Sequence, residues 1–211
     1  MPDTEIKICG LSTPETVDAA VDAGATHIGL VHYEPSPRHL SLEDAAKLRR
    51  RIPPSVKVVL LLVNMEAVPT AQAIDAVKPD VIQFHGGETP EWLALIKDKT
   101  PFEVWKAWGV RSAESLANAL RYKGAVDMML YDAPAKKAPG GQGLALDWSL
   151  LAGHRHELPW GLAGGLSPAN VAEAIRLTGA PLVDASSGLE TAPGVKDVGL
   201  IRAFIVAVRT A

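Results

Sequence analysis

A single cysteine, Cys9, stands in 211 residues, so no internal disulfide can form, and the chain suits a reducing cytoplasm. Aromatic residues are scarce at 5%, and the five tryptophans have no basic residues interleaved with them, so they read as packing groups. No long block of Lys and Arg occurs, and the formal net charge is −3, which argues against nucleic acid or an anionic membrane as a partner. The short cluster Arg49-Arg50-Arg51 reads as a solvated helix C-terminus that favours the macrodipole. The longest apolar run, Val58–Val63, is far too short to span a bilayer. The first ten residues, MPDTEIKICG, show no basic segment followed by an apolar one, so no secretory signal is expected.

What is present is alternation. The chain is 47% hydrophobic, enough to bury one sizeable core, and residues 1–211 are expected to form one domain. Short apolar segments read as strands: Ile6–Cys9, His27–Val31, Val56–Val63, Val81–Phe84, Glu103–Ala107, Ala125–Tyr131, Trp160–Ala163 and Leu182-Val183. Val56–Val63 is almost unbroken, the mark of a parallel strand covered on both faces. Helical patterns separate the strands. Thr13-Pro14-Glu15 opens one, Ser41 caps another, and Ala67–Val77, Glu91–Lys97 and Ala113–Arg121 follow. A loop, Ala133–Gly143, precedes a short helix near Asp147–Leu151. Ser167-Pro168 is expected to start a helix with Leu166, Val171, Ala174, Ile175 and Leu177 on its apolar face, and a last helix spans roughly Val198–Val208.

Eight such repeats predict an α/β fold, a closed (β/α)8 barrel of parallel strands that is short for its class. The rival is a doubly wound open sheet, which carries its phosphate loop near the first strand. Here Cys9-Gly10-Leu11 follows the first strand, with no G-x-G-x-x-G. Glycine turns fall instead after the seventh and eighth strands, at Gly164-Gly165 and at Ala185-Ser186-Ser187-Gly188. Small residues there leave backbone N–H groups free and close together, as a phosphate dianion requires, and that position is the habit of barrels.

In a barrel, residues just past each strand line the active-site mouth. Collecting them gives Cys9, His32, Asn64, His85, Lys106, Asp132, Gly164 and Asp184, with Arg38 on the loop after the second strand. Away from such a mouth Cys9 would read as a small buried hydrophobe; beside Lys7 and facing a phosphate site it reads as a base or nucleophile. Asp132 either caps the loop that follows it or serves as a general acid raised by partial desolvation. Arg38 is either a solvated charge or, in its proline-constrained loop, a fixed clamp for a carboxylate or phosphate. His32 and His85 with Asp132 and Asp184 invite a metal reading, but with no H-x-H among them, no H-E-x-x-H and no cysteine pair, neither a metal site nor a metal cofactor is expected.

Seven segments carry a family resemblance. They are Lys7-Ile8-Cys9-Gly10, Pro35-Ser36-Pro37-Arg38, Ile82-Gln83-Phe84-His85-Gly86, Leu130-Tyr131-Asp132, Gly140-Gly141-Gln142-Gly143 with Asp147-Trp148, Leu162-Ala163-Gly164-Gly165-Leu166 with Asn170-Val171, and Val183-Asp184-Ala185-Ser186-Ser187-Gly188-Leu189-Glu190. Pro193-Gly194-Val195-Lys196-Asp197 completes the pattern. In order and spacing the chain resembles the phosphoribosylanthranilate isomerase family from Lys7 to the last helix. The resemblance implies a metal-free and cofactor-free Amadori rearrangement of a phosphosugar in tryptophan biosynthesis, with Cys9 as general base and Asp132 as general acid. It implies that Arg38 holds the anthranilate carboxylate, that Gly164, Gly165, Ser186 and Ser187 bind phosphate, and that Gly141 and Gly143 close over the site. His85 and Asp184 join the substrate-binding set, and the family's assembly is a monomer or a homodimer. Departures are His32-Tyr33-Glu34, Gly87 and Tyr131; none replaces Cys9 or Asp132. The competing expectations are another phosphate-binding barrel enzyme, such as an indole-glycerol-phosphate synthase or a ribulose-phosphate epimerase, and a barrel that binds a phosphosugar without catalysis.

Overall fold

The structure, a computed structural model, describes residues 4–134 and 146–211. Eight parallel strands close into one barrel: β1 (Glu5–Cys9), β2 (His27–Val31), β3 (Lys57–Leu62), β4 (Val81–Phe84), β5 (Glu103–Gly109), β6 (Met128–Asp132), β7 (Trp160–Leu162) and β8 (Leu182–Ala185). The closing seam pairs β1 with β8 in a register that sets Lys7 opposite Asp184. Helices α1 (Pro14–Ala23), α2 (Leu42–Arg49), α3 (Ala67–Val77), α4 (Pro90–Lys99), α5 (Ala113–Asn118), α6 (Val171–Thr178) and α7 (Val198–Arg209) pack outside. Their starts are chemically marked. Thr13, Ser41, Thr89, Ser112 and Asp197 each accept a backbone N–H of the first turn, and Pro14 and Pro90 occupy positions where no N–H is missed.

Alternation along each strand separates two cores. Ile6, Ile8, Ile28, Leu30, Val58, Leu60 and Leu62 belong to the large cluster between sheet and helices. A second cluster, Val59, Val81, Trp105, Ala107, Leu130, Ala163 and Leu182, fills the barrel interior. Lys7 and Cys9 share the interior parity of β1. No helix among the described residues is long and apolar enough to cross a membrane.

Several local expectations are corrected. Ser167-Pro168 does not start α6; Asn170 Oδ1 accepts the Ser167 N–H at 2.8 Å, and helix geometry begins only at Val171. Leu177 is 52% exposed and off the buried stripe of α6. The helix expected over Ala113–Arg121 tightens after Asn118 into a 3₁₀ turn, Ala119–Tyr122, and that near Asp147–Leu151 is one 3₁₀ turn, Trp148–Leu150. The arginine cluster at the end of α2 is not among them: Arg50 and Arg51 are exposed, and Arg49 and Arg51 pair with Asp80 and Asp18.

Candidate active site

A cavity of 470 Å³ opens at the C-terminal ends of the strands. Cys9, Arg38, His85, Asp132, Gly164, Gly165, Asp184, Ser186 and Ser187 all line it, together with Tyr33, Ser36 and Gln83 and an apolar wall of Val31, Leu61, Val63 and Ala163. Gly141 and Gly143 lie outside the described residues. Three collected strand-end residues face elsewhere. Lys106 has the opposite parity to Trp105 and Ala107 and pairs with Glu88 at 3.1 Å in the helix layer. Asn64 turns in the left-handed region and accepts the Gly87 N–H, while His32 Nδ1 bonds the Leu40 carbonyl.

Cys9 ends β1, is 5% exposed and rests on Val31 and Leu61. The register places it beside Gly29 of β2, where an added Cβ would sit 2.9 Å from the Cys9 Sγ. Glycine is needed there so that the thiol fits inside the barrel. Burial pushes the Cys9 thiol above its ordinary value, and the Lys7 ammonium pulls partly the other way. Lys7 is itself fully buried, with its Nζ 2.9 Å from Asp184 Oδ2. Burial opposes the Lys7 charge, but the facing Asp184 carboxylate outweighs it and holds the ammonium above the usual lysine value. The other Asp184 oxygen, Oδ1, is buried in the wall of the cavity without a partner among the described residues.

Asp132 ends β6, with β7 and β8 between it and β1 around the barrel. Its Oδ1 accepts the Ala133 N–H at 2.7 Å, and its Oδ2 lies 3.3 Å from His85 Nε2. Gly164, with φ +88°, lets the turn after β7 pass this carboxylate; a Cβ there would lie 2.4 Å from the Ala133 nitrogen. The turns Gly164-Gly165 and Ser186-Ser187 thus occupy the rim between Cys9 and Asp132. Arg38 reaches the cavity from the β2–α2 loop, its stem lying over Gly10 and its guanidinium bidentate to Glu190 at 2.7 Å on both arms.

The sequence does hold one H-x-H, His154-Arg155-His156, in the loop before β7. The His156 ring stacks on Trp160 at 4.0 Å and is apart from the cavity. Among the described residues no three His, Cys, Asp or Glu side chains are grouped to hold a metal ion. Sequence reasoning missed Lys7 as the partner of Asp184, and also the pairing of Glu190 and Lys196 behind Arg38. Glu190 and Lys196 both lay within the recognised motifs, but nothing local marks what they touch.

The model of the N-(5′-phosphoribosyl)anthranilate isomerase family matches residues 6–207. The chain belongs to that family. An N-(5′-phosphoribosyl)anthranilate isomerase of Erythrobacter litoralis is 62% identical over 208 residues, covering 99% of this chain and 100% of its own. The crystal structure of the Thermotoga maritima phosphoribosyl anthranilate isomerase is 34% identical, with a TM-score of 0.90 over 99% of this chain and all of the other. Another phosphoribosyl anthranilate isomerase, solved in complex with reduced 1-(o-carboxyphenylamino)-1-deoxyribulose 5-phosphate, is 32% identical with a TM-score of 0.87 over the same spans.

Proposed function

We propose that this isomerase of tryptophan biosynthesis uses Cys9 as general base and Asp132 as general acid to convert N-(5-phosphoribosyl)anthranilate to 1-(2-carboxyphenylamino)-1-deoxyribulose 5-phosphate. The observation that carries the assignment is that one cavity presents a buried thiol and a partly exposed carboxyl from nonadjacent strands, with the glycine and serine turns on the rim between them. Asp132 gives its proton to the furanose ring oxygen, the bond from that oxygen to the first sugar carbon breaks, and the aniline nitrogen supplies electrons to form a protonated Schiff base. The Cys9 thiolate then takes the proton from the second sugar carbon, and the electron pair released neutralises the iminium as an enolamine. Transfer of the enol proton to the first carbon leaves the ketone. Substrate and product are isomers, and the enzyme resets by returning one proton to Asp132 and releasing one from Cys9. Such groups typically contribute roughly 10²–10⁴-fold each.

Gly164, Gly165, Ser186 and Ser187 are assigned to the phosphate, where small residues let backbone donors approach. Gly141 and Gly143 are assigned to substrate binding. Arg38 is assigned to the anthranilate carboxylate, with the aromatic ring against Val31, Leu61 and Val63. Asp184 Oδ1, which has no partner among the described residues, would accept a hydrogen bond from a sugar hydroxyl. The chain is proposed to act as a monomer or a homodimer, as a single domain working in the cytoplasm. The test is loss of anthranilate fluorescence on mixing fresh phosphoribosylanthranilate with the enzyme in EDTA. Rapid decay that disappears in Cys9→Ser and in Asp132→Asn is expected, with ligand affinity kept. Near-normal turnover in either variant overturns the acid–base assignment.

A further inference from the structure

Behind Arg38 lies a buried charge trio. Glu190 begins the small hairpin of β9 (Glu190–Ala192) and β10 (Val195–Lys196), which follows the barrel's last strand. Its carboxylate takes Arg38 Nε on Oε1 and Nη2 on Oε2, each at 2.7 Å, and also accepts the Gly194 N–H at 3.2 Å. Lys196 Nζ bonds the same Oε1 and reaches the Ser186 carbonyl at 3.2 Å. The Glu190 and Lys196 side chains are 4% and 1% exposed, whereas Arg38 is 21% exposed and faces the cavity.

We propose that Glu190 is a positioning residue that aims Arg38, that Lys196 supplies the compensating charge, and that together they restrict the substrate to one with an anionic carboxylate on its amine-bearing ring. The inference rests on the assignment of Arg38 to that carboxylate. Two physical points support it. The guanidinium is a planar fork, and docking its Nε–Nη2 edge on Glu190 leaves the Nη1–Nη2 edge as the one that can grip a second carboxylate. An isolated Arg–Glu pair is neutral and would not attract an anion. Lys196 on the same carboxylate restores one positive charge to the trio, and Arg38 is its cavity-facing member. Burial alone would raise the Glu190 carboxyl, but hydrogen bonds from Arg38 and Lys196 outweigh it and hold the group below its ordinary value, consistent with a permanent anion.

The test compares two ligands by calorimetry: reduced 1-(o-carboxyphenylamino)-1-deoxyribulose 5-phosphate and its counterpart with an unsubstituted phenyl ring. The readout is the ratio of their dissociation constants in wild type, Arg38→Ala, Glu190→Gln, Glu190→Asp and the Arg38→Ala/Glu190→Gln double variant. Glu190→Asp keeps the anion for Lys196 but is one methylene too short to hold the Arg38 fork, so it serves if Glu190→Gln does not fold. The expected result is that Arg38→Ala and either Glu190 variant reduce the preference for the carboxylate ligand by about tenfold or more. The double variant should be no worse than Arg38→Ala. A Glu190 variant that weakens both ligands equally, or losses that add in the double variant, makes Glu190 merely structural and overturns the inference. An unchanged ratio in Arg38→Ala removes the underlying assignment of Arg38 instead, and the inference goes with it.

Discussion

His85 and Asp132 meet across the cavity mouth, the imidazole Nε2 standing 3.3 Å from the carboxylate Oδ2. His85 is thus a partner of the proposed acid as well as a group in the cavity wall. An acid that gives up its proton in each turnover must recover one, and a ring nitrogen at this distance is placed to return it. His85→Ala is expected to lower kcat by about one to two orders of magnitude, less than the roughly 10²–10⁴-fold associated with losing the acid itself in Asp132→Asn. Single-turnover kinetics on the two variants and their combination would check this. An additive loss in the combination would show that the two groups act separately.

Burial also dictates how activity should depend on pH. The Cys9 thiol lies above its ordinary value because desolvation disfavours the thiolate, and Lys7 offsets only part of that. A base works only when deprotonated, so at neutral pH the reactive form of the free enzyme is the minor one. Alkylation of Cys9 by iodoacetamide follows the thiolate fraction alone and should climb with pH through the range 7–9, approaching about tenfold per unit while the thiol remains protonated. The value of kcat/KM also requires a protonated Asp132, which counts in the opposite direction, so its profile should rise less steeply than alkylation. Lys7→Met removes the buried ammonium and should displace the alkylation rise to still higher pH. Alkylation flat across this range would mean that Cys9 does not carry the buried, raised thiol that the proposed base requires.

The fold was legible because strand patterning is local. Val58–Val63 and the segments ending at Cys9 and Asp132 announce buried parallel strands, and a residue just past such a strand is near the mouth whatever surrounds it. Two kinds of error follow from the same locality. Ser167-Pro168 has the chemistry of a helix start, yet Asn170 three residues later caps a preceding turn, and the choice between them is tertiary. Lys106 lies in the middle of β5, which runs on to Gly109, and parity turns it outward to Glu88. Lys7–Asp184 and Arg38–Glu190 span 177 and 152 residues. Only the register of the closing seam and the placement of the β9–β10 hairpin bring them together, and neither is written in any short segment.

Stability should carry a histidine signature at the closed end of the same barrel. His27 is 1% exposed on β2, its Nδ1 2.8 Å from Thr26 Oγ1 and its ring 5.2 Å from Trp105, while its Nε2 is buried without a partner among the described residues. Burial, helped by the Lys57 and Lys7 charges, depresses its pKa from the ordinary 6.5 to about 3. Between those two values the unfolded chain binds a proton that the folded chain refuses, so stability is fully present above pH 6.5 and is lost as pH falls toward 3. The slope contributed by one such group approaches about 1.4 kcal/mol per pH unit. His156, depressed by burial and by His154 to about 4, adds a similar slope over a narrower window. Urea midpoints measured at pH 7.5, 6 and 5 should therefore fall progressively. In His27→Gln, which keeps a polar side chain but cannot bind the proton, the decline from pH 6 to 5 should be shallower by up to about 1.4 kcal/mol. A His27→Gln profile parallel to wild type would assign the acid sensitivity to His156 and the carboxylates instead.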